Sequence, residues 1–115
     1  MLETITIPSA VVLIGDYEFS CLFHLKEVIF ESRSSMKAIG TNAFAYTKSI
    51  KRISLPSSMT VIDDSTFEES QSLEEVIISS SVTKINTKAF KFCESLKEIV
   101  IPLGVTSIEE KNLWL

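Results

Sequence analysis

Residues 72–94 read SLEEVIISSSVTKINTKAFKFCE, and the same arrangement of apolar residues recurs along the whole chain. Its apolar positions are Leu73, Val76, Ile78, Val82, Ile85 and Phe90. Each of these positions becomes a column when the chain is cut at intervals of about 23 residues. Repetition with such a period is typical of a solenoid, in which each unit stacks only on its neighbours.

The most regular columns hold isoleucine and phenylalanine. The isoleucine column contains Ile14, Ile39, Ile62, Ile85 and Ile108, separated by 25, 23, 23 and 23 residues. Five residues after each of them come Phe19, Phe44, Phe67, Phe90 and Leu113. Four further columns, which begin at Leu2, Ile5, Ile7 and Val11, are also apolar in every unit. The one change of phase is two extra residues within 31–35 of the second unit, where a loop can absorb them.

Local spacing within each unit predicts a strand followed by a turn. The pattern Leu-x-x-Ile-x-Ile alternates at its end as a half-buried strand does. Three strands are followed by a proline that would end them, at Pro8, Pro56 and Pro102. The residue after each column isoleucine is Gly15, Gly40, Asp63, Asn86 or Glu109. Four of these five tolerate a left-handed or tight turn, and the residues from there to the phenylalanine suit one short helical turn.

We therefore predict an α/β-type repeat solenoid of the leucine-rich-repeat kind. It has about five turns, one parallel β-strand per turn of about 23 residues, and short helical or 3-10 turns on its outer wall. The period is too short for two helices per unit, and the one-strand pattern with an outer phenylalanine favours a leucine-rich repeat over a parallel β-helix. Residues 1–115 are predicted to form a single domain, with units at 2–24, 25–49, 50–72, 73–95 and 96–115.

The unit at 72–94 resembles the BspA-type (Treponema pallidum type) leucine-rich repeat, L-x-x-I-x-I-P-x-x-V-x-x-I-G-x-x-A-F-x-x-C. The resemblance covers essentially the whole chain, and its most specific part is Ile39 to Phe44. It implies binding or adhesion with no catalytic residues, as in bacterial surface proteins and proteins of parasitic protists. At the family's Cys position stand Leu22, Thr47, Ser70 and Cys93. Where other leucine-rich repeats place a buried Asn stand Ala10, Ser35, Ser58, Ser81 and Gly104.

Composition and charge exclude several classes of function. The chain has 11 Lys and Arg against 15 Asp and Glu, a net charge of −4, and no basic cluster. A nucleic-acid partner is therefore not predicted. Apolar runs such as Val11 to Ile14 are far shorter than the roughly 18 residues of a membrane span. No positively charged segment precedes the first apolar stretch, so the predicted compartment is the cytoplasm.

No catalytic, metal or cofactor site is predicted. The one histidine, His24, falls at a surface turn with no sign of an oriented nucleophile. Cys21 and Cys93 lie three units apart, roughly 14 Å by strand spacing, and are expected to be free thiols. The acidic run from Asp63 to Glu69 lacks the alternating ligands and glycine of a calcium loop, and is predicted to be solvated outer-wall charge.

The concave face of the predicted sheet is the candidate partner-binding site. One column of outward-pointing residues contains Thr4, Glu27, Arg52, Glu75 and Glu98. The other contains Thr6, Ile29, Ser54, Ile77 and Val100. Exposed aliphatic residues with mostly acidic neighbours suit a partner with basic and apolar groups, although β-branched residues also simply stabilise a parallel ladder.

The ends of the solenoid are the second candidate contact. Capping repeats normally cover the first and last turns, and the pattern leaves no room for them. We expect either Trp114 to fold over the last turn or another chain to cover an end. The predicted function is a non-catalytic protein-protein interaction module that binds through its concave sheet and open ends. The alternatives are a structural subunit of a large assembly, such as a cytoskeletal one, with end-to-end stacking, and a surface adhesin.

Overall fold

The computed structural model describes residues 2–86, 88–99, 102–105 and 107–108. Ten short strands run along them: β1 (Thr4–Ile7), β2 (Leu13–Ile14), β3 (Glu27–Phe30), β4 (Ala38–Ile39), β5 (Arg52–Ser54), β6 (Val61–Ile62), β7 (Glu75–Ile77), β8 (Lys84–Ile85), β9 (Glu98–Ile99) and β10 (Ser107–Ile108). All pairings are parallel, and each joins one unit to the next. The chain is therefore a β-solenoid of about four turns of about 23 residues, with strands of a further turn at β9 and β10.

Each unit contributes two strands, so the prediction of one strand per unit was wrong. The odd-numbered strands form the first sheet, which contains the predicted Leu-x-x-Ile-x-Ile pattern. The even-numbered strands form the second sheet, in the order β10-β8-β6-β4-β2. Each strand of the second sheet is only two residues long and ends at a column isoleucine, so it is too short to show the alternation by which a strand is detected in sequence.

The first sheet is interrupted. β1 pairs with β3, and β5 pairs with β7 and then β9, but β3 and β5 are not hydrogen-bonded to each other. The interruption lies beside the second unit, whose loop between Phe30 and Met36 holds the two extra residues. The second sheet continues past this point, with Ala38 opposite Val61 and Ile39 opposite Ile62. The first sheet thus consists of two blocks, which the second sheet holds in one stack.

The outer wall contains no helix among the described residues, and a regular pair of left-handed residues explains why. Each of the first four units has two residues with φ between 54° and 62°, four positions apart: Tyr17 and Cys21, Asn42 and Tyr46, Ser65 and Glu69, Lys88 and Phe92. A left-handed residue ends a helical turn. Instead, alternate N–H groups donate to the next unit, as Tyr17 does to Thr41 and Phe19 does to Ala43, both at 2.9 Å.

The left-handed residues do not lie where the sequence predicted them. No described glycine has a positive φ, and the left-handed positions come two residues after Gly15, Gly40, Asp63 and Asn86. Gly40 is required for space instead, since a Cβ there would lie 2.8 Å from the backbone nitrogen of Asp16 and 2.9 Å from the carbonyl carbon of Gly15. The Asp16 carboxylate also accepts the N–H of Thr41 at 2.9 Å.

The core consists of the predicted apolar columns. Ile39, Ile62 and Ile85 are at most 1% exposed, and Phe44, Phe67 and Phe90 are equally buried. The phenyl rings from Phe19 to Phe90 stack with centroids 5.4 to 5.7 Å apart. Like residues therefore lie over like residues, as the repeat predicts. The described residues include no helix long and apolar enough to cross a bilayer.

Candidate protein-binding surface

The outward-pointing residues of the first sheet lie on one exposed face, as predicted. The register places Thr4 opposite Glu27 and Thr6 opposite Ile29. In the other block, Arg52 is opposite Glu75 and Ser54 is opposite Ile77. The side chains of all eight residues are exposed, while the residues between them in each strand point into the core. Because the sheet is interrupted between β3 and β5, each predicted column is two short columns.

Three of the predicted contacts lie outside what the structure describes. The backbone of Glu98 pairs with that of Glu75 in β9, but its side chain is not described. Val100 and Trp114 are outside the described residues, and so is any cap over the last turn. The predicted aliphatic stripe is therefore represented by Ile29, which is 41% exposed, and Ile77, which is 54% exposed. Ser54 separates these two in the stack.

The charges on this face are partly paired. Arg52 Nε lies 3.4 Å from Glu75 Oε1, and both side chains are more than half exposed. An ion pair in such a position contributes little to stability, about 0 to 1 kcal/mol, so both groups remain available to a partner. Glu27 makes no ion pair or hydrogen bond through its side chain among the described residues. The first residues of these strands, Glu27, Arg52 and Glu75, thus include more acidic than basic groups, which favours a partner with basic groups.

The column that contains His24 holds serines that connect neighbouring units. His24 is exposed at its turn. In the same column, Ser49 donates to the Phe23 carbonyl at 2.6 Å and Ser72 donates to that of Lys48. These hydroxyls connect each unit to the one before it, and His24 belongs to the first unit. No group of three or more His, Cys, Asp or Glu in the described part of the chain is arranged to hold a metal ion.

The acidic run is less solvated than predicted. Asp63, Glu68 and Glu69 are half-buried. Asp63 Oδ1 accepts the N–H of Asp64 at 2.8 Å and the side-chain amide of Asn86 at 3.1 Å. Glu69 lies 3.8 Å from the Lys48 ammonium. These carboxylates therefore stabilise the turns of the outer wall.

The column that holds the family's cysteine is a ladder of buried hydrogen bonds, which we call the polar ladder: Thr47, Ser70 and Cys93. The Ser70 hydroxyl donates to the Phe44 carbonyl at 3.1 Å, and the Cys93 thiol donates to the Phe67 carbonyl at 3.0 Å. Burial raises the pKa of Cys93 to about 12, opposed in part by a backbone hydrogen bond from Ser70. Cys21 and Cys93 are both free, Cys21 exposed and Cys93 buried, as predicted.

A second ladder replaces the buried Asn of other leucine-rich repeats. The Ser58 hydroxyl donates to the Met36 carbonyl at 2.6 Å, and the Ser81 hydroxyl donates to the Met59 carbonyl. Each bond again joins neighbouring units. Small polar residues at these columns therefore satisfy backbone carbonyls inside the stack.

Residues beside the interruption were not among the predicted contacts. Arg33, Ser32 and Ser57 line a cleft between the second and third units, together with the predicted residues Ile29 and Ser54. The signal was present in the sequence as the two extra residues within 31–35, which were interpreted only as a tolerated insertion.

A stack of units of about 23 residues defines a repeat protein of the leucine-rich class. Each unit has two short parallel strands, and each of the first four has a buried isoleucine and a stacked phenylalanine. The chain belongs to the BspA-type leucine-rich repeat family, whose model matches six copies across residues 1–113. Proteins with this repeat are generally non-catalytic interaction modules. No curated protein matches the chain in sequence.

Two solved structures share the fold. The pneumococcal vaccine antigen PcpA superposes with a TM-score of 0.84 at 31% identity, over 91% of this chain and 26% of its own. A leucine-rich cell surface protein from Faecalibacterium prausnitzii A2-165 superposes with a TM-score of 0.50 at 22% identity, over 92% of this chain and 39% of its own. This chain therefore spans well under half the length of either structure.

Proposed function

We propose that this chain is a non-catalytic protein-interaction module, and that its main contact is the exposed face of the first sheet. The observation that carries the proposal is the exposure of Ile29 and Ile77 on that face, although the residue before each of them, Val28 or Val76, is buried. Isolated surface aliphatics are common. Here they share an exposed face with the Arg52–Glu75 pair and Glu27, a combination of apolar and charged groups suited to a partner protein.

The test is a comparison of two triple variants of the full chain. The first is Ile29→Thr, Arg52→Gln and Ile77→Thr, which removes both aliphatics and the cation while keeping β-branched residues in the strands. The matched control is Val12→Thr, Leu13→Thr and Lys84→Gln, with the same change of chemistry at exposed positions in and beside the second sheet. A partner is identified by photo-crosslinking from native extract, purified, and titrated against each protein.

The first variant should weaken binding by about 100-fold, since residues at the centre of an interface each contribute more than about 1 kcal/mol. The control should bind like the parent chain, and circular dichroism should be unchanged for both. Unchanged affinity of the first variant would reject the face of the first sheet as the contact.

End-to-end stacking in a larger assembly is the alternative function. Leu2 of the first unit is 51% exposed, whereas Leu25, at the same position of the second unit, is fully buried. If the ends supply the contact, a separate variant, Leu2→Thr, should lose binding while the sheet variant keeps it. Light scattering of the purified chain should then also show association that this variant reduces.

Surface adhesion is the second candidate function. It is favoured by the two solved structures, one a vaccine antigen and the other a cell surface protein. The cytoplasmic location expected from the N-terminus gains no support from them. Labelling of intact cells with a membrane-impermeant amine reagent tests this candidate: modification of the chain without lysis supports surface display, and modification only after lysis contradicts it.

A further inference from the structure

The interruption of the first sheet opens a cleft on the proposed binding face. The cleft has a volume of about 390 Å³ and is lined by residues 28–34 and 54–57. This volume falls within the range of small ligand pockets, about 300 to 1,000 Å³. The cleft opens at the ends of β3 and β5, next to Ile29 and Ser54, and thus forms part of the same face.

Free polar groups surround this cleft. Among the described residues, the Arg33 guanidinium makes no ion pair or hydrogen bond, and the hydroxyls of Ser32, Ser54 and Ser57 make none either. The neighbouring Glu31 carboxylate is already engaged, since it accepts the N–H of Ser9 at 2.9 Å. Arg33 has φ of 60°, which is uncommon for a residue with a long side chain. The longer loop therefore presents an unpaired cation beside three free hydroxyls.

The cleft has a mixed lining, in which several apolar side chains lie beside these polar groups. Val28 and Leu55 are buried, and Phe30 and Pro56 are half-buried. β3 is hydrogen-bonded only to β1, and β5 only to β7, so each has one edge without a ladder partner. These two edges face each other and lie too close for a further strand between them, so a partner would contact the side chains that line the cleft.

From these observations we propose that the cleft binds an acidic segment of the partner protein, with a carboxylate on Arg33 and an aliphatic side chain against the half-buried Phe30 and Pro56. Guanidinium and carboxylate match in geometry and charge, and serine hydroxyls donate to the remaining carboxylate oxygens. This proposal rests on the proposed function and adds to it. The partner's basic groups would face the acidic residues at the N-terminal ends of the first-sheet strands, and its acidic residue would lie at the C-terminal ends of β3 and β5.

The test uses two fluorescein-labelled peptides and the full chain. One is Ser-Val-Asp-Leu-Glu-Ser, and the other replaces its carboxylates with amides as Ser-Val-Asn-Leu-Gln-Ser. Fluorescence anisotropy measures both affinities for the parent chain, for Arg33→Glu and for Lys84→Glu, which makes the same change of charge on the second sheet. Amide chemical shifts locate the bound peptide.

The acidic peptide should bind at least about tenfold more tightly than the amide peptide, as expected for one charge-assisted contact. Arg33→Glu should remove that preference, Lys84→Glu should keep it, and the shifts should map to residues 28–34 and 54–57. Equal affinity for the two peptides, full binding by Arg33→Glu, or shifts elsewhere would overturn the proposal. Binding of the crosslinked partner separates this proposal from the proposed function. If the Ile29, Arg52 and Ile77 variant no longer binds the partner but Arg33→Glu still does, the face of the first sheet remains the contact and only the cleft is rejected.

Discussion

The two sheets of this solenoid have the same number of units but differ in continuity. The second sheet has strands of only two residues, and yet it pairs without interruption from β2 to β10. The first sheet has strands of up to four residues and is interrupted between β3 and β5. Continuity therefore does not follow strand length, and the interruption coincides with the loop that holds two extra residues. The second sheet carries the isoleucine column, and five residues later the stacked phenylalanines fix the spacing between units.

The loop with two extra residues shows where the repeat tolerates change. It lies between Phe30 and Met36, after a first-sheet strand and before a second-sheet strand. Downstream of it, the register of the second sheet is intact. The solenoid thus has one side that maintains the stack and another on which variation creates a surface feature.

The largest expected effect is on the side that maintains the stack. Phe67→Ala removes a ring that is 1% exposed and stacks on both Phe44 and Phe90. We expect the free energy of unfolding to fall by about 3 to 5 kcal/mol, as for other buried phenylalanines. Urea denaturation followed by circular dichroism measures this.

The matched control is Phe92→Ala, on the same outer wall but 45% exposed, with the Lys91 ammonium 5.1 Å from the ring centroid. It should cost about 1 kcal/mol or less. Equal losses for the two variants would contradict the idea that the inner phenylalanine stack maintains the register.

A smaller effect is expected from Gly40→Ala. Its Cβ would lie 2.8 Å from the Asp16 backbone nitrogen, so the first and second units must move apart. The expected loss is about 1 to 3 kcal/mol, as for overpacking in general. The control is Gly104→Ala, whose Cβ would be 3.6 Å from the nearest atom. In thermal unfolding, the melting temperature of this control should equal or slightly exceed that of the parent chain. A similar loss of stability in both variants would refute the steric argument.

Deleting Ser32 and Arg33 should join the two blocks of the first sheet, because the second unit then has the same loop length as its neighbours. We expect a gain of about 1 kcal/mol from new ladder hydrogen bonds and slower amide hydrogen exchange in β3 and β5. A control that deletes no residue, Ser32→Ala with Arg33→Ala, should leave exchange unchanged. Fast exchange in β5 after the deletion would mean that the loop is not the cause of the interruption.

The smallest expected effect on stability concerns Cys93, which is buried at the outer wall. With its pKa raised to about 12, Cys93 at pH 8 has roughly a thousandfold less thiolate than a thiol of pKa 9.0. Iodoacetamide should therefore label Cys21 and spare Cys93 in the folded chain, and should label both in urea. The variants Cys21→Ser and Cys93→Ser identify each signal by mass spectrometry.

The sign of the pH dependence follows from the same pKa. Because the folded state keeps the Cys93 thiol protonated, this thiol's contribution to the free energy of unfolding is complete below pH 9. That contribution decreases as pH rises from about 9 towards 12. Cys93→Ser should remove this part of the loss of stability at alkaline pH. If the stability of the variant depended on pH as that of the parent chain does, Cys93 would be excluded as the source.

Much of this architecture could be predicted from the sequence, because a repeat shows the same buried positions several times. The six apolar columns identified the core, the period and the family. The second strand was missed because two residues such as Lys84 and Ile85 show no alternation. The outer turns were predicted as helical because the left-handed positions hold residues such as Tyr46 and Phe92, which carry no signal for that conformation.

The candidate site was only partly predictable, for a different reason. Alternation placed Ile29 and Ile77 on an exposed face, because the side of a strand on which a residue lies depends only on local sequence. The interruption between β3 and β5 depends on pairing between units. The sequence marked its place through two extra residues but contained no indication that a cleft would form there.

The polar ladder has a consequence for the surroundings in which this protein can fold. Ser70 and Cys93 do equivalent work with a hydroxyl and a thiol, each donating to a phenylalanine carbonyl of the preceding unit, while Thr47 donates to the Phe44 carbonyl of its own unit. Both cysteines are free thiols, so no disulfide joins one unit to the next. The stack therefore needs no oxidation step to form, and a reducing medium does not prevent its assembly.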